Sequence, residues 1–171
     1  SLINLNPASL SEYLRLRRVQ PAAHDPAGKQ RSDIVTLSEA DHGQGFGLTP
    51  AQRMAVANHG MDLAKQELTR RGFDHVDVSH NSSFDLSAFA GGRHYYVEVK
   101  ATTGNGKSVF LTANEVDLHL SEYPNNILIV VHGVKLGPAN RVSGGTVYLE
   151  QPWKLHKARL KPITYRYVRA K

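Results

Sequence analysis

The segment NNILIVVHGV, residues 125–134, is an unbroken apolar run bounded by asparagine and glycine. A strand with one wet face alternates polar and apolar residues; a short continuous run is what a strand buried on both faces needs. It predicts a central β-strand covered on both sides, and so an α/β chain.

The other elements read around it. Thr49-Pro50 opens a helix with Met54, Ala57, Met61, Ala64 and Leu68 as its apolar stripe, ended by Gly72. HVDVSH, SFDLSAFA and HYYVEVKA follow as three short strands, mostly antiparallel, the last two joined by a Gly91-Gly92 turn. SVFLT reads as another short strand or an extension. Thr112 and Glu115, at capping-box spacing, open a second helix through about Ser121. GGTVYLE and PITYRYV offer late strands. A peripheral helix is expected over residues 8–19, with Ser9 and Glu12 as its capping box, followed by a Pro-, Ala- and Gly-rich arm. The expected organisation is a helix and arm over 1–48, a core over 49–150 and a basic aromatic extension over 151–171.

With no cysteine among 171 residues, a disulfide framework and a thiolate zinc site are excluded, and a cytoplasmic home is expected. No apolar run reaches the ~18–20 residues of a membrane span, so no membrane partner is expected. The chain starts at Ser1, which suggests a processed form or a fragment with further domains beside it.

The net charge of +6 is unevenly distributed. All fifteen acidic residues lie in 1–150, where fourteen of the 21 lysines and arginines offset them. The excess is the tail, where Lys154, Lys157, Arg159, Lys161, Arg166, Arg169 and Lys171 are interleaved with Trp153, Tyr165 and Tyr167. Cations neutralise phosphates and aromatic faces stack on unpaired bases, so nucleic acid is one expected partner; a solvated end whose aromatics pack on the domain is the other reading.

Alternation puts Glu98 and Lys100 of YYVEVKA on one strand face, with His94 on the same side. The hairpin brings Asp85 of the preceding strand within reach. Two carboxylates and a backbone carbonyl, that of Val99, are hard oxygen donors suited to Mg²⁺. Lys100 can orient or deprotonate a metal-bound water and offset charge on a phosphorane-like transition state. Without such a role, Glu98 and Lys100 would be an exposed ion pair worth little. Asn114 and Glu115 open the second helix, where they either cap it or face a metal or phosphate at its positive end.

The order of a helix, a hairpin carrying Asp85 and then Glu98-Val99-Lys100, a helix and a buried strand resembles the PD-(D/E)XK superfamily. More narrowly, residues 72–120, within a resemblance that covers about residues 52–136, look like the C-terminal domain named after the protein NO VEIN, found in bacterial restriction and defence proteins. The matching positions are Asp85, Glu98-Val99-Lys100, Thr102 and Leu111-Thr112-Ala113-Asn114-Glu115. The resemblance implies a restriction-endonuclease-like core, a central mixed sheet flanked by helices. It also implies an endonuclease using Mg²⁺ or Mn²⁺, with Asp85, Glu98 and Lys100 catalytic and Asp85, Glu98 and Val99 holding the metal. The expected substrate is double-stranded DNA, gripped by Lys107, Lys154, Lys157, Arg159 and Lys161, with a homodimer or added subunits for double-strand cutting. The superfamily's frequent acid on the first helix has no clear match, since Asp62 and Glu67 are poorly placed.

Two competing readings stand beside this one. A non-catalytic nucleic-acid-binding or assembly module needs only the fold and the basic tail. A P-loop nucleotide-binding protein is suggested by ATTGNGKS, but its Lys107-Ser108 leads into Val109-Phe110-Leu111 and not directly into a helix. The nine histidines, among them His59, His75, His80 and His119, show no zinc spacing and read as surface or hydrogen-bonded residues.

Overall fold

The computed structural model describes residues 47–163. The helix expected over 8–19, its arm and most of PITYRYV, with Tyr165, Arg166, Tyr167, Arg169 and Lys171, lie outside them. Within the described residues, helix α1 (Pro50–Arg70) leads to strands β1 (Asp74–Asp77), β2 (Leu86–Ala90) and β3 (Arg93–Ala101). Helix α2 (Ala113–Ser121) and β4 (Asn126–His132) follow, then β5 (Lys135–Leu136), β6 (Val142–Ser143) and β7 (Thr146–Glu150). Residues 157–163 belong to a separate compact unit and are described by themselves: a 3₁₀ turn at Lys157–Arg159, with Leu160 N–H donating to the Lys157 carbonyl at 3.1 Å.

Five strands form a mixed sheet in the order β1-β2-β3-β4-β7, and β5 pairs with β6 in a small second sheet. β1, β2 and β3 form an antiparallel meander; β3 and β4 are parallel, with α2 in the connection between them. This is the flanked mixed sheet expected of a restriction-endonuclease-like core. The β2–β3 turn needs Gly91 and Gly92 because both take positive φ, 56° and 72°, as a two-residue hairpin whose twist matches its strands requires.

The apolar 127–131 run lies inside the sheet as predicted, between β3 and β7, although the middle strand is β3. Its two faces serve different layers. Ile127, Ile129 and Val131 join Val97 and Val99 against Val56, Ala64 and Leu68 of α1. Leu128 and Val130 face the other way, packing with Trp153, Val109, Leu111 and Leu155.

Two local expectations are corrected. SVFLT is not a strand: β3 and β4 already have neighbours on both edges, so Val109 and Leu111 pack as loop side chains against the sheet face. The turn that lays this loop down depends on Gly106, at φ 69°, where a Cβ would come within 2.7 Å of the His132 Cβ. In α1 the buried stripe is Val56, Gly60, Ala64 and Leu68, while Met54 is 52% exposed and Ala57 lies outside the core. The helix is rotated from the expected stripe because Gly60 gives the closest approach to β3: a methyl there would overlap the Ala101 side chain. Thr49 caps the helix, as predicted, through a capping box with Gln52.

Gly60→Ala sets two effects against each other. Alanine favours a helix interior by up to about 1 kcal/mol, whereas overpacking a close contact costs about 1–3 kcal/mol. Because the clash is with a Cβ on a β-strand, which cannot swing aside, we expect the variant to be less stable than the parent in a urea melt.

Candidate active site

β2 peels away from β3 at Leu86, whose partner is Val97. Asp85 stands at that fork. Its N–H donates to the Val97 carbonyl at 3.0 Å, and its Oδ2 accepts from Val99 N–H at 2.9 Å, supplying the hydrogen bond that the departing strand no longer gives. The structure thus brings Asp85 onto the backbone of the Glu98-Val99-Lys100 segment, through Val99.

Glu98 and Lys100 share the face of Leu128 and Val130, their register partners on β4. They are not an exposed pair. The Glu98 side chain is 1% exposed and that of Lys100 12%, with Nζ 2.6 Å from Glu98 Oε1. Nζ also donates to Glu115 Oε2 at 3.0 Å. Burial alone would lower the lysine pKa; the two carboxylates outweigh it, and the net direction is upward. Lys100 is therefore an ammonium at neutral pH.

Glu115 caps α2 as expected and also pairs with Lys100. Its Oε2 accepts from Thr112 N–H at 2.9 Å while Thr112 Oγ1 accepts from Glu115 N–H at 3.3 Å. One turn further along, His119 is wholly buried, with Nε2 3.5 Å from Glu98 Oε2 and its ring against Trp153 at a centroid distance of 4.8 Å. The expectation of a surface or hydrogen-bonded histidine fails here: neither ring nitrogen has a hydrogen-bond partner, and Glu98 Oε2, unlike the Oε1 that Lys100 holds, has no donor. Each such dry polar atom costs about 1–3 kcal/mol. A signal for His119 lies in the spacing: residues four apart on a helix share a face, so the alternative in which Glu115 faces the site carries His119 with it.

The remaining candidates lie elsewhere. His94 shares the strand face, but its Nε2 is 2.5 Å from Ser87 Oγ and its ring packs among Phe84, Phe89 and Tyr96. Asn114 is exposed, as are Lys107 and Lys154. Lys157, Arg159 and Lys161 are exposed within their separate unit. Thr102 is buried, its Oγ1 accepting from Gly104 N–H at 3.0 Å at the start of the glycine loop. No helix begins at Lys107-Ser108; the next starts at Ala113, which removes the P-loop geometry. On α1, Glu67 is occupied by Arg70 and Arg71 at 2.7 and 2.6 Å, which hold its carboxyl at about 2, and Asp62 is exposed. Among the described residues no three His, Asp or Glu side chains converge as a metal site, so a cation here would draw on two carboxylates and on backbone, water or substrate oxygens.

Removing one partner of a buried ion pair strands the other. Lys100→Met leaves Glu98 and Glu115 without their cation and is expected to cost about 3–5 kcal/mol in denaturant melts. His94 gives a second expectation. Burial pushes its pKa down to about 4, so the folded chain resists a proton that the unfolded chain accepts near 6.5. Stability is then full above pH 6.5 and falls as pH drops towards 4, by on the order of 2 kcal/mol after allowance for partial exposure. Melts at pH 7 and 5 should show this slope flattened in His94→Gln, with His75, also shifted down by burial, accounting for part of what remains.

Comparison with curated proteins and with solved structures finds no match. A family model does match: that of Protein NO VEIN, C-terminal, over residues 56–142. This stretch runs from α1 through β4 to the start of β6, and includes Asp85, Glu98, Lys100, Glu115 and His119. With half of its length matched, the chain belongs to the family of the NO VEIN C-terminal domain.

Proposed function

We propose that this domain is a metal-dependent endonuclease of the PD-(D/E)XK type that hydrolyses phosphodiesters of double-stranded DNA, as part of a restriction or defence protein. The observation that carries the reading is Glu98: a buried carboxylate whose Oε1 is held by Lys100 and whose Oε2 has no hydrogen-bond donor, on the strand segment to which Asp85 is tied. The donors fit Mg²⁺, which keeps several waters and takes only one or two carboxylates from a protein. Asp85, Glu98 and the Val99 carbonyl would hold it, and Mn²⁺ is the natural substitute. The metal would supply an activated water and neutralise phosphoryl charge.

The chain's own groups do the rest. Lys100, kept as an ammonium between Glu98 and Glu115, orients the water and offsets charge building on the phosphoryl oxygens. Lys107, Lys154, Lys157, Arg159 and Lys161 are exposed cations able to contact the phosphate backbone. Cutting both strands calls for two such sites, hence a homodimer or partner subunits. The cytoplasmic setting is part of this proposal and comes from the reading as a DNA-cutting defence protein; of the described residues, no helix is long and apolar enough to cross a membrane.

A second reading, a non-catalytic nucleic-acid-binding module of the same fold, draws on α1. Glu67 is committed to arginines and leaves that helix without an acid at the site.

Cleavage of supercoiled plasmid, linear duplex and single strands with Mg²⁺ or Mn²⁺ separates the two. Asp85→Asn keeps an acceptor for Val99 N–H, and Lys100→Arg keeps a cation between Glu98 and Glu115, so both should fold. Each is expected to lose about 100-fold or more in cleavage rate. A parent chain that binds DNA and cuts none of these substrates would favour the binding module.

A further inference from the structure

Packing alone does not account for a histidine at position 119. The site is fully enclosed, and an apolar side chain of similar size would fill it without leaving two ring nitrogens dry. The ring is nevertheless held with care. Asn126 Nδ2 donates to the His119 and Trp153 carbonyls, both at 3.0 Å, and Trp153 N–H donates to the Asn126 carbonyl at 3.2 Å. One asparagine thus ties α2, β4 and the segment after β7 together around the imidazole, and the indole closes one side of it.

What the ring meets is the Glu98 carboxylate, Nε2 to Oε2 at 3.5 Å, while Lys100 holds Oε1 at 2.6 Å. We propose that His119 is a positioning residue for Glu98, setting the rotation of its carboxylate through Oε2, the oxygen that Lys100 does not hold, with Trp153 and Asn126 fixing the imidazole. This rests on the metal-binding reading of Glu98 given above. Long contacts of this kind tighten when the bound state forms, and groups that orient a ligating carboxylate govern metal affinity as well as rate. His119 has no part in binding nucleic acid on this account.

Trp153 is the single tryptophan of the chain and touches the same ring, so its emission reports on the site without any cleavage. Mn²⁺ titrations of the whole chain, followed by calorimetry and by Trp153 fluorescence, compare the parent with Glu98→Gln, His119→Leu and His119→Gln. Mn²⁺ should change the emission of the parent but not of Glu98→Gln. His119→Leu should bind Mn²⁺ about 10–100-fold more weakly, with thermal stability equal to or above that of the parent. His119→Gln, whose amide can reach the same oxygen, should recover most of the affinity. Unchanged Mn²⁺ affinity in His119→Leu overturns the proposal. So does a loss that Gln fails to restore and that comes with reduced stability, as a purely structural role would give. If the parent binds Mn²⁺ but cuts nothing, the nuclease reading fails while the His119 series still decides this one; if the parent binds no Mn²⁺, both fall.

Discussion

A carboxylate as dry as that of Glu98 cannot sit on a sheet face unless a cation is fixed against it. Lys100, two residues along the same strand, is the nearest source on that face, and the strand's alternation delivers it. One ammonium is then shared between two buried carboxylates, because Glu115 reaches the same Nζ. That sharing fixes where α2 must start. The helix can supply Glu115 only if its first turn lies over Lys100, and the capping box with Thr112 sets that first turn. The connection from β3 to β4 is therefore tied at its midpoint by charge as well as by hydrogen bonds.

The two faces of β3 divide the labour of the fold. Val97 and Val99 pack into the main core with α1, while Glu98 and Lys100 face α2 and the smaller cluster around Trp153. A one-residue slip of β3 would put both charges into the α1 core. Three features guard the register: the parallel ladder with β4, the hairpin turn at Gly91-Gly92, and Asp85 holding Val99 where β2 departs. Asp85 is thus structural and positional at once, which is why asparagine is the informative substitution there.

Much of this was legible in the residues themselves. Alternation placed Glu98 with Lys100, the glycine pair placed the hairpin, and Thr112 with Glu115 placed the second helix. What stayed hidden depended on non-local packing. SVFLT has strand composition, but every interior edge it could join was occupied, a fact that only the full sheet order supplies. The α1 stripe was misjudged at Met54 because side-chain hydropathy says nothing about how closely two backbones approach, and Gly60 decides that. His119 was grouped with scattered histidines because its neighbours, Trp153 and Glu98, lie 34 residues later and 21 earlier in the chain.

The contact between Gly60 and Ala101 reaches into the history of the chain as well as its packing. Each position limits the size of the other, and Ala101 directly follows Lys100, so the spacing of helix from sheet and the placement of the lysine share one boundary condition. Neither residue can drift to a larger side chain alone; both must change together, or the strand must move and carry Lys100 with it. Among members of the family, these two positions are where a pairwise substitution pattern would record that restriction, and a larger residue at one would signal a shifted helix and a displaced lysine.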